Sequence, residues 1–228
     1  MALRVPPLQV ESVKKLVELQ DVEIAKFLDA LTTTGPHYNI YDLSEAVSQR
    51  ASLSRDLVLG VVQVLASLYL TKDAQQAATD TFVDREVSGA LKRAGAFSKE
   101  QADAQWSKVR NFLMAALSLE DTVGTAAKAG HVLTQHERIF VSARILSDIR
   151  PIFHVDISDK PHSAVIVHML RLIYRNSQGA QFENYFALDS NDIRSLRGII
   201  DRALKKEETL KKLMSDAGVI VLPPKEIH

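Results

Sequence analysis

The chain has 228 residues, 46% of them hydrophobic and 25% charged, with 28 basic and 28 acidic side chains and therefore a formal charge of zero. That balance is ample for a folded core and excludes both a disordered chain and a strongly basic nucleic-acid binder. There is no cysteine, so disulfides, thiolate metal sites, iron–sulfur clusters and thiol catalysis are all excluded.

In chain order, the N-terminus has no apolar stretch long enough for a signal-peptide core. Pro6 and Pro7 delay a first helix, whose apolar stripe is Val13, Leu16, Val17 and Leu19. Asp21 is expected to cap a second, with Ile24, Phe27, Leu28 and Leu31 at helical spacing, stopped at Gly35-Pro36. Tyr41 or Asp42 opens a short helix through Leu43, Ala46 and Val47. Ser54 begins the next, containing the most apolar run, Leu57 to Leu70. At fourteen residues with Gln63 and Ser67 inside, that run is too short to span a bilayer and reads as a core helix. A single segment is expected from about Asp73 to Ala94, with Gly95 as its cap. Ser98-Lys-Glu-Gln101 is a capping-box pattern ahead of Trp106, Val109, Phe112, Leu113 and Leu117. A last Ala-rich helix runs from about Ser118 to Ala129 and ends at Gly130. The expectation for residues 1–136 is an all-α bundle of six or seven short helices.

After His136 the pattern changes. Glu137 to Leu146 fits helix or strand. Pro151 then forces an extended approach to a first strand, Ile152-Phe-His-Val-Asp-Ile157. Ser158 to His162 is a turn by composition. Ala164 to Tyr174 is the richest β-branched run, Asn176-Ser-Gln-Gly179 a hairpin turn, and Phe182 to Leu188 a third strand. Asp189-Ser190 caps a long helix with Ile193, Leu196, Ile200, Ala203, Leu210 and Leu213 on one stripe, stopped by Gly218 and followed by Pro223-Pro224. The fold class expected is α+β: the helical bundle, then over 137–228 a three-stranded antiparallel sheet with one long C-terminal helix.

The central strand should alternate if one face were wet, and it does not. Val165, Val167, Met169 and Ile173 fall on one face; Ala164, Ile166, His168, Leu170, Leu172 and Tyr174 fall on the other. One helix covers one face, so a second cover is needed, from the helical domain or from a second chain. The second chain is the favoured reading, a two-fold homodimer through Phe153, Ile166, His168, Leu170, Leu172 and Tyr174.

These residues resemble a known family. A helical N-terminal domain, three antiparallel strands and a C-terminal helix, at this length and in this order, are similar to the COMM-domain proteins. Phe153-His-Val-Asp-Ile157 looks like the family's first strand, Phe186 to Leu196 like its passage from strand to capped Leu-rich helix, and Ala94 to Trp106 like its helix-turn-helix before the domain. The resemblance implies a dimer formed through the sheet and an adaptor without enzymatic activity. The chain lacks the family's usual Trp and carries Pro151, and Ile149-Arg-Pro-Ile-Phe153 reads as the signature of a separate bacterial family, which is the alternative.

Catalytic patterns were sought and none is present: no Gly-rich phosphate loop, no GxSxG elbow, no two-histidine zinc helix. Seven histidines occur, at 37, 131, 136, 154, 162, 168 and 228. His154, His162 and His168 bracket the strand turn and could approach one another across the hairpin, where Asp156 or Asp159 would complete a metal site; a surface turn His plus one His within an apolar strand is the favoured reading. Arg144, Asp148 and Arg150 are expected to form an ion pair at the domain junction. Residues 1–137 hold 14 basic and 17 acidic side chains, a charge of −3, and residues 138–228 hold 14 and 11, a charge of +3. The basic excess lies on the last helix at Arg194, Arg197, Arg202, Lys205, Lys206, Lys211 and Lys212, interrupted by Asp192, Asp201, Glu207, Glu208 and Asp216. Such interleaving fits a solvated face with i,i+4 pairs. The expected function is therefore a cytoplasmic, non-enzymatic interaction protein that needs no metal or other cofactor and no membrane. It self-associates and presents its helical domain to a protein partner. A nucleic-acid-associated regulator acting through the basic last helix is the alternative.

Overall fold

The computed structural model describes residues 3–98, 100–134, 136–176 and 178–223. Lys99 of the expected capping box, Ser177 of the expected hairpin turn, and Pro224 and His228 lie outside the described residues. The chain forms two compact units: one runs to Leu133 and takes in the tail from Leu222, and the other is Thr134–Val221. The class is α+β.

In the helical unit, α1 (Pro7–Glu18) starts with Pro7 in its first turn, where a missing N–H costs nothing. In α2 (Asp21–Thr33) the cap is Gln20, whose N–H donates to Glu23 Oε2 at 2.7 Å; Asp21 is the first helical residue. Helix α3 (Ile40–Ala51) opens earlier than expected. The Asn39 carboxamide oxygen accepts from the N–H groups of Tyr41 (2.8 Å) and Asp42 (3.0 Å), so the cap lies upstream of the two candidates. Helix α4 (Arg55–Ala74) is twenty residues long, extending the fourteen-residue apolar run at both ends. By length and composition it is apolar enough to cross a membrane, yet Val58, Val61, Val62, Val64, Leu65, Leu68 and Tyr69 are buried inside the helical unit. That is the burial of a core helix.

The expected single helix over 73–94 is broken. Gln76 has a φ of +51°, and α5 (Thr79–Thr81) runs through a π-helical stretch, Phe82–Val87, into α6 (Ser88–Arg93). Hydrogen bonds there span five residues instead of four, which brings Phe82 and Val87 close to one face, and both are buried. Gly95, at φ +71°, ends α6: its N–H donates to Lys92 O and that of Ala96 to Leu91 O, the paired closure that favours glycine. Ahead of α7 (Ala102–Ala116), the Ser98 hydroxyl accepts from Gln101 N–H at 3.3 Å. The return bond, from Ser98 N–H at 2.9 Å, goes to Gln105 rather than Gln101. The last helix of the unit also begins in a π turn, Glu120–Gly124, before α8 (Thr125–Thr134) carries on beyond Gly130. Gly124 is required there, because a Cβ would stand 2.7 Å from the Tyr69 ring.

Two lysines close helix ends at long range. Lys72, 8% exposed, donates from Nζ to Leu117 O (3.1 Å) at the end of α7 and to Thr79 Oγ1 (3.3 Å), and lies 4.8 Å over the Tyr69 ring. Lys108 donates to Val17 O at 3.3 Å and to Leu19 O at the end of α1. Carbonyls in a last helical turn have no partner within the helix, so these cations replace water that burial excludes.

The second unit holds β1 (Arg138–Ile152), β2 (Ser163–Asn176) and β3 (Gln181–Leu188), antiparallel in the order β1-β2-β3, then α9 (Ser190–Asp216). The first strand is not Ile152 to Ile157. It occupies the segment that fits either helix or strand, and Pro151 sits inside it opposite Ala164. An edge strand tolerates proline because one side of its backbone needs no ladder donors. The chain leaves the strand at Phe153, and the Asp156 carboxylate accepts from Ser158 N–H (3.0 Å) and O–H (2.6 Å) in the turn that follows. Val141 is an extra residue between Phe140 and Ser142. The Asn176 side chain accepts from Gln178 and Ala180 N–H at the hairpin, and Gly179 has φ +84°. Asp189 caps α9 as expected, accepting from Asn191 and Asp192 N–H (2.6 and 2.9 Å), while Asp192 accepts from Asp189 N–H at 2.9 Å.

Replacing the buried Lys72 cation tests the helix-closing role. Lys72→Met keeps the volume but strands the Leu117 carbonyl, and should cost about 1–3 kcal/mol. Calorimetry should show the helical unit melting several degrees lower; an unchanged melting temperature would refute that role.

Candidate self-association surface

Strand alternation and register divide the sheet into two unlike faces. Ile166, His168, Leu170, Leu172 and Tyr174 share one face of β2. Their partners on β1 are Ile149, Ser147, Ile145, Ala143 and Phe140, and those on β3 are Leu188, Phe186, Asn184 and Phe182. This face is largely apolar on all three strands, interrupted by Ser147, His168 and Asn184. Tyr174 stacks on Phe182 with ring centroids 5.7 Å apart, and the Arg138 guanidinium lies over Tyr174.

The opposite face is mixed: Val165, Val167, Met169 and Ile173 of β2 share it with Arg171 and Arg175, and beside them lie Ile139 and Leu146 on β1 and Ala187 on β3. Its flanks carry Arg144, Asp148 and Arg150 on β1 and Glu183 and Tyr185 on β3. Arg171 Nε donates to Glu183 Oε2 at 2.7 Å, and Tyr185 O–H donates to Glu183 Oε1 at 3.0 Å. Those two bonds hold the Glu183 carboxyl below its ordinary range, Arg171 first and Tyr185 second. The flanking strands make the two faces unlike, since most of the charged side chains lie on this second one.

Of the six residues expected at an interface, five are brought together: Ile166, His168, Leu170, Leu172 and Tyr174. Phe153 lies beyond the end of β1 and is half exposed. Sequence reasoning missed Phe140, Ile145, Ile149, Phe182 and Phe186, which complete the face. Their alternation was visible in the chain, but their register was not.

Helix α9 flanks this same face and does not seal it. Ile193, Leu196 and Ile200 border an open apolar groove of about 720 Å³ whose other wall includes Phe140, Ile145, Leu170 and Leu172. Further along the helix, Leu204, Leu210 and Leu213 are each more than half exposed. No described residue of this unit reaches the burial of the thirty or so side chains that form the helical core. A sheet and an amphipathic helix are thus present without a core between them.

Polar chemistry around the face is spent on structure. Ser147 Oγ and His168 Nδ1 are 2.7 Å apart across β1 and β2. Asp189 lies close enough for His168 to lower its carboxyl, but the larger causes are the N–H groups of Asp192 and Asn191, which its oxygen accepts. A carboxylate committed to a helix start does not orient an imidazole as a hydrolytic triad requires. The histidines lie as the favoured reading has them, His154 and His162 in the segment between β1 and β2 and His168 within the apolar strand β2. His154 and His162 meet edge to face at 5.4 Å, while His168 is turned to Ser147. Among the described residues no group of three or more His, Asp or Glu is placed to hold a metal ion. Arg144, Asp148 and Arg150 alternate along β1, and among the described residues no ion pair joins them. The charges of α9 do pair along the helix, Arg197 with Asp201 at 3.7 Å and Lys211 with Glu207 at 2.6 Å.

No family model matches this chain, and no curated protein aligns with it.

The Glu183–Arg171 pair sets a pH test. A carboxyl lowered in the folded state adds stability above its unfolded value, and that contribution is lost as pH falls through the folded one. Wild type should therefore melt higher than Glu183→Gln at pH 7, with the gap closing below about pH 3, under the ordinary carboxylate range. A gap that persists unchanged in acid would contradict this assignment.

Proposed function

We propose that this chain is a non-enzymatic, cytoplasmic interaction protein. Its C-terminal β-β-β-α unit pairs with a second copy through the apolar sheet face, and its helical unit presents a surface to a protein partner. The observation that carries this reading is the coreless C-terminal unit, whose apolar face and helix stripe stay open together. Exposed apolar patches of this extent mark association surfaces, and a two-fold pairing presents the same patch from both copies. The open groove beside α9 supports the same reading, because it leaves room for side chains from another copy. The helical unit needs no such help: α4 packs against α1, α3 and the π turn Glu120–Gly124 and buries most of its apolar side chains within one chain. The resemblance to COMM-domain proteins points the same way, toward an adaptor that dimerises through its sheet.

In this reading Ile166, His168, Leu170, Leu172 and Tyr174 form the centre of the interface, and Phe153 lies at its rim. A carboxylate placed at the centre would be buried without a partner, a cost on the order of 3–5 kcal/mol. Leu170→Asp or Leu172→Asp should therefore convert the dimer to monomer in sedimentation velocity, with the helical unit's melting unchanged. Leu146→Glu, on the wet face, should leave the dimer intact. A Leu170→Asp variant that remains dimeric with wild-type melting would overturn the reading.

A further inference from the structure

The helical unit carries a shallow groove of about 440 Å³ beside α3. It follows from how α2 hands the chain on to α3. Pro36 does not continue α2, the His37 ring bonds back to the Gly35 carbonyl (Nδ1 to O, 2.7 Å), and Asn39 caps α3. Pro36, His37 and Tyr38 thereby form one wall. The other is α3 itself, where Asp42, Ala46 and Gln49 recur at the four- and three-residue spacing that shares a helix face. Pro223, from the far end of the chain, lines the same groove while remaining exposed. The tail from Leu222 belongs to the same compact unit as α3. Burial changes at that point: Val219, Ile220 and Val221 are 52%, 74% and 40% exposed, whereas Leu222 is half-buried.

We infer that this groove is a docking site for an extended, proline-bearing segment, and that its occupant is the chain's own tail from Leu222. A Pro-Pro pair is extended before it docks, so ordering it costs little backbone entropy. Grooves walled by aromatic rings suit such segments, because a proline ring is a rigid apolar knob on a backbone that needs no ladder. One leucine and one proline bury little area, so the contact is weak between separate molecules. Tethering offsets that weakness. Gly218, at φ +72°, ends α9, and Val219–Val221 form a short linker to the docked residues. A linker of that length holds the tail at an effective concentration of roughly 1 mM. A tail held there shields α3 from extended segments of other proteins. The inference rests neither on the pairing nor on the partner proposed above.

The test is fluorescence anisotropy of a labelled peptide with the sequence of residues 219–228, titrated with two full-length proteins. The variant Leu222→Asp, Pro223→Asp vacates its own groove and should bind the peptide with a Kd of about 0.1 mM. Wild type should bind it about tenfold more weakly, because the tethered tail competes. Adding Ala46→Arg to the variant should abolish binding. A second measurement does not depend on that substitution. The chain has no cysteine, so introduced thiols are the only ones. In Gln49→Cys, Lys225→Cys a short bismaleimide should join the two thiols within one chain at least tenfold faster than in Gln75→Cys, Lys225→Cys. Equal peptide affinity in wild type and variant, no binding to either, binding untouched by Ala46→Arg, equal cross-linking rates, or a cross-linked product with the mass of two chains would each overturn the inference.

Discussion

One constraint governs this molecule: a three-stranded sheet flanked by a helix that does not close onto it cannot bury its own apolar surface. Burial contributes roughly 25 cal/mol per Å² of apolar area removed from water, and the second unit leaves many large apolar side chains exposed, Phe140 by 66% and Ile149 by 73%. The helical unit shows what a satisfied core looks like in the same chain. Phe27, Leu31, Leu43, Leu65, Tyr69, Phe82 and Phe112 are wholly buried there. The contrast between the units locates the unmet burial on one sheet face and one helix stripe.

Several polar and charged side chains are committed to architecture. Lys72 and Lys108 close helix ends, and Asn39 and Asp189 open them. Arg110 holds Asp84 through two bonds, Nε to Oδ1 at 2.6 Å and Nη2 to Oδ2 at 2.8 Å, tying the π-helical stretch to α7. That grip holds the Asp84 carboxyl below its ordinary range, and burial together with Glu120 pushes the Tyr69 phenol up. In each case the perturbing partner is a neighbour in the packing. Such environments also occur at catalytic centres, where they coincide with a cleft and a reactive pair; here they coincide with helix ends and strand pairs.

Much of this was legible in the sequence, and the exceptions have physical causes. Helix α9 was readable because its 3.6-residue stripe and its Asp189 cap agree, and α1 and α4 because their stripes begin just after Pro6 and Ser54. The breaks at Phe82–Val87 and Glu120–Gly124 were not, because a π turn shifts the apolar period without any distinctive residue. Asn39 was missed because its side chain caps from upstream of the first acidic candidate. Pro151 reads in sequence as a barrier before the first strand, whereas an edge strand accommodates it near its end. The two-faced apolarity of β2 was legible, but the charges opposite one face lie on β1 and β3, and only the register assigns them there. For the same reason Ser147 could not be joined to His168 from sequence alone.

The central claim, that the C-terminal unit completes its core by pairing with a second copy, is tested most directly by hydrogen exchange at varied protein concentration. Amides of β2 between Ile166 and Tyr174 should become more protected as concentration rises, while those of α4 between Val58 and Tyr69 keep constant protection. Protection of β2 that is high and independent of concentration, in a particle with the mass of one chain, would contradict the account.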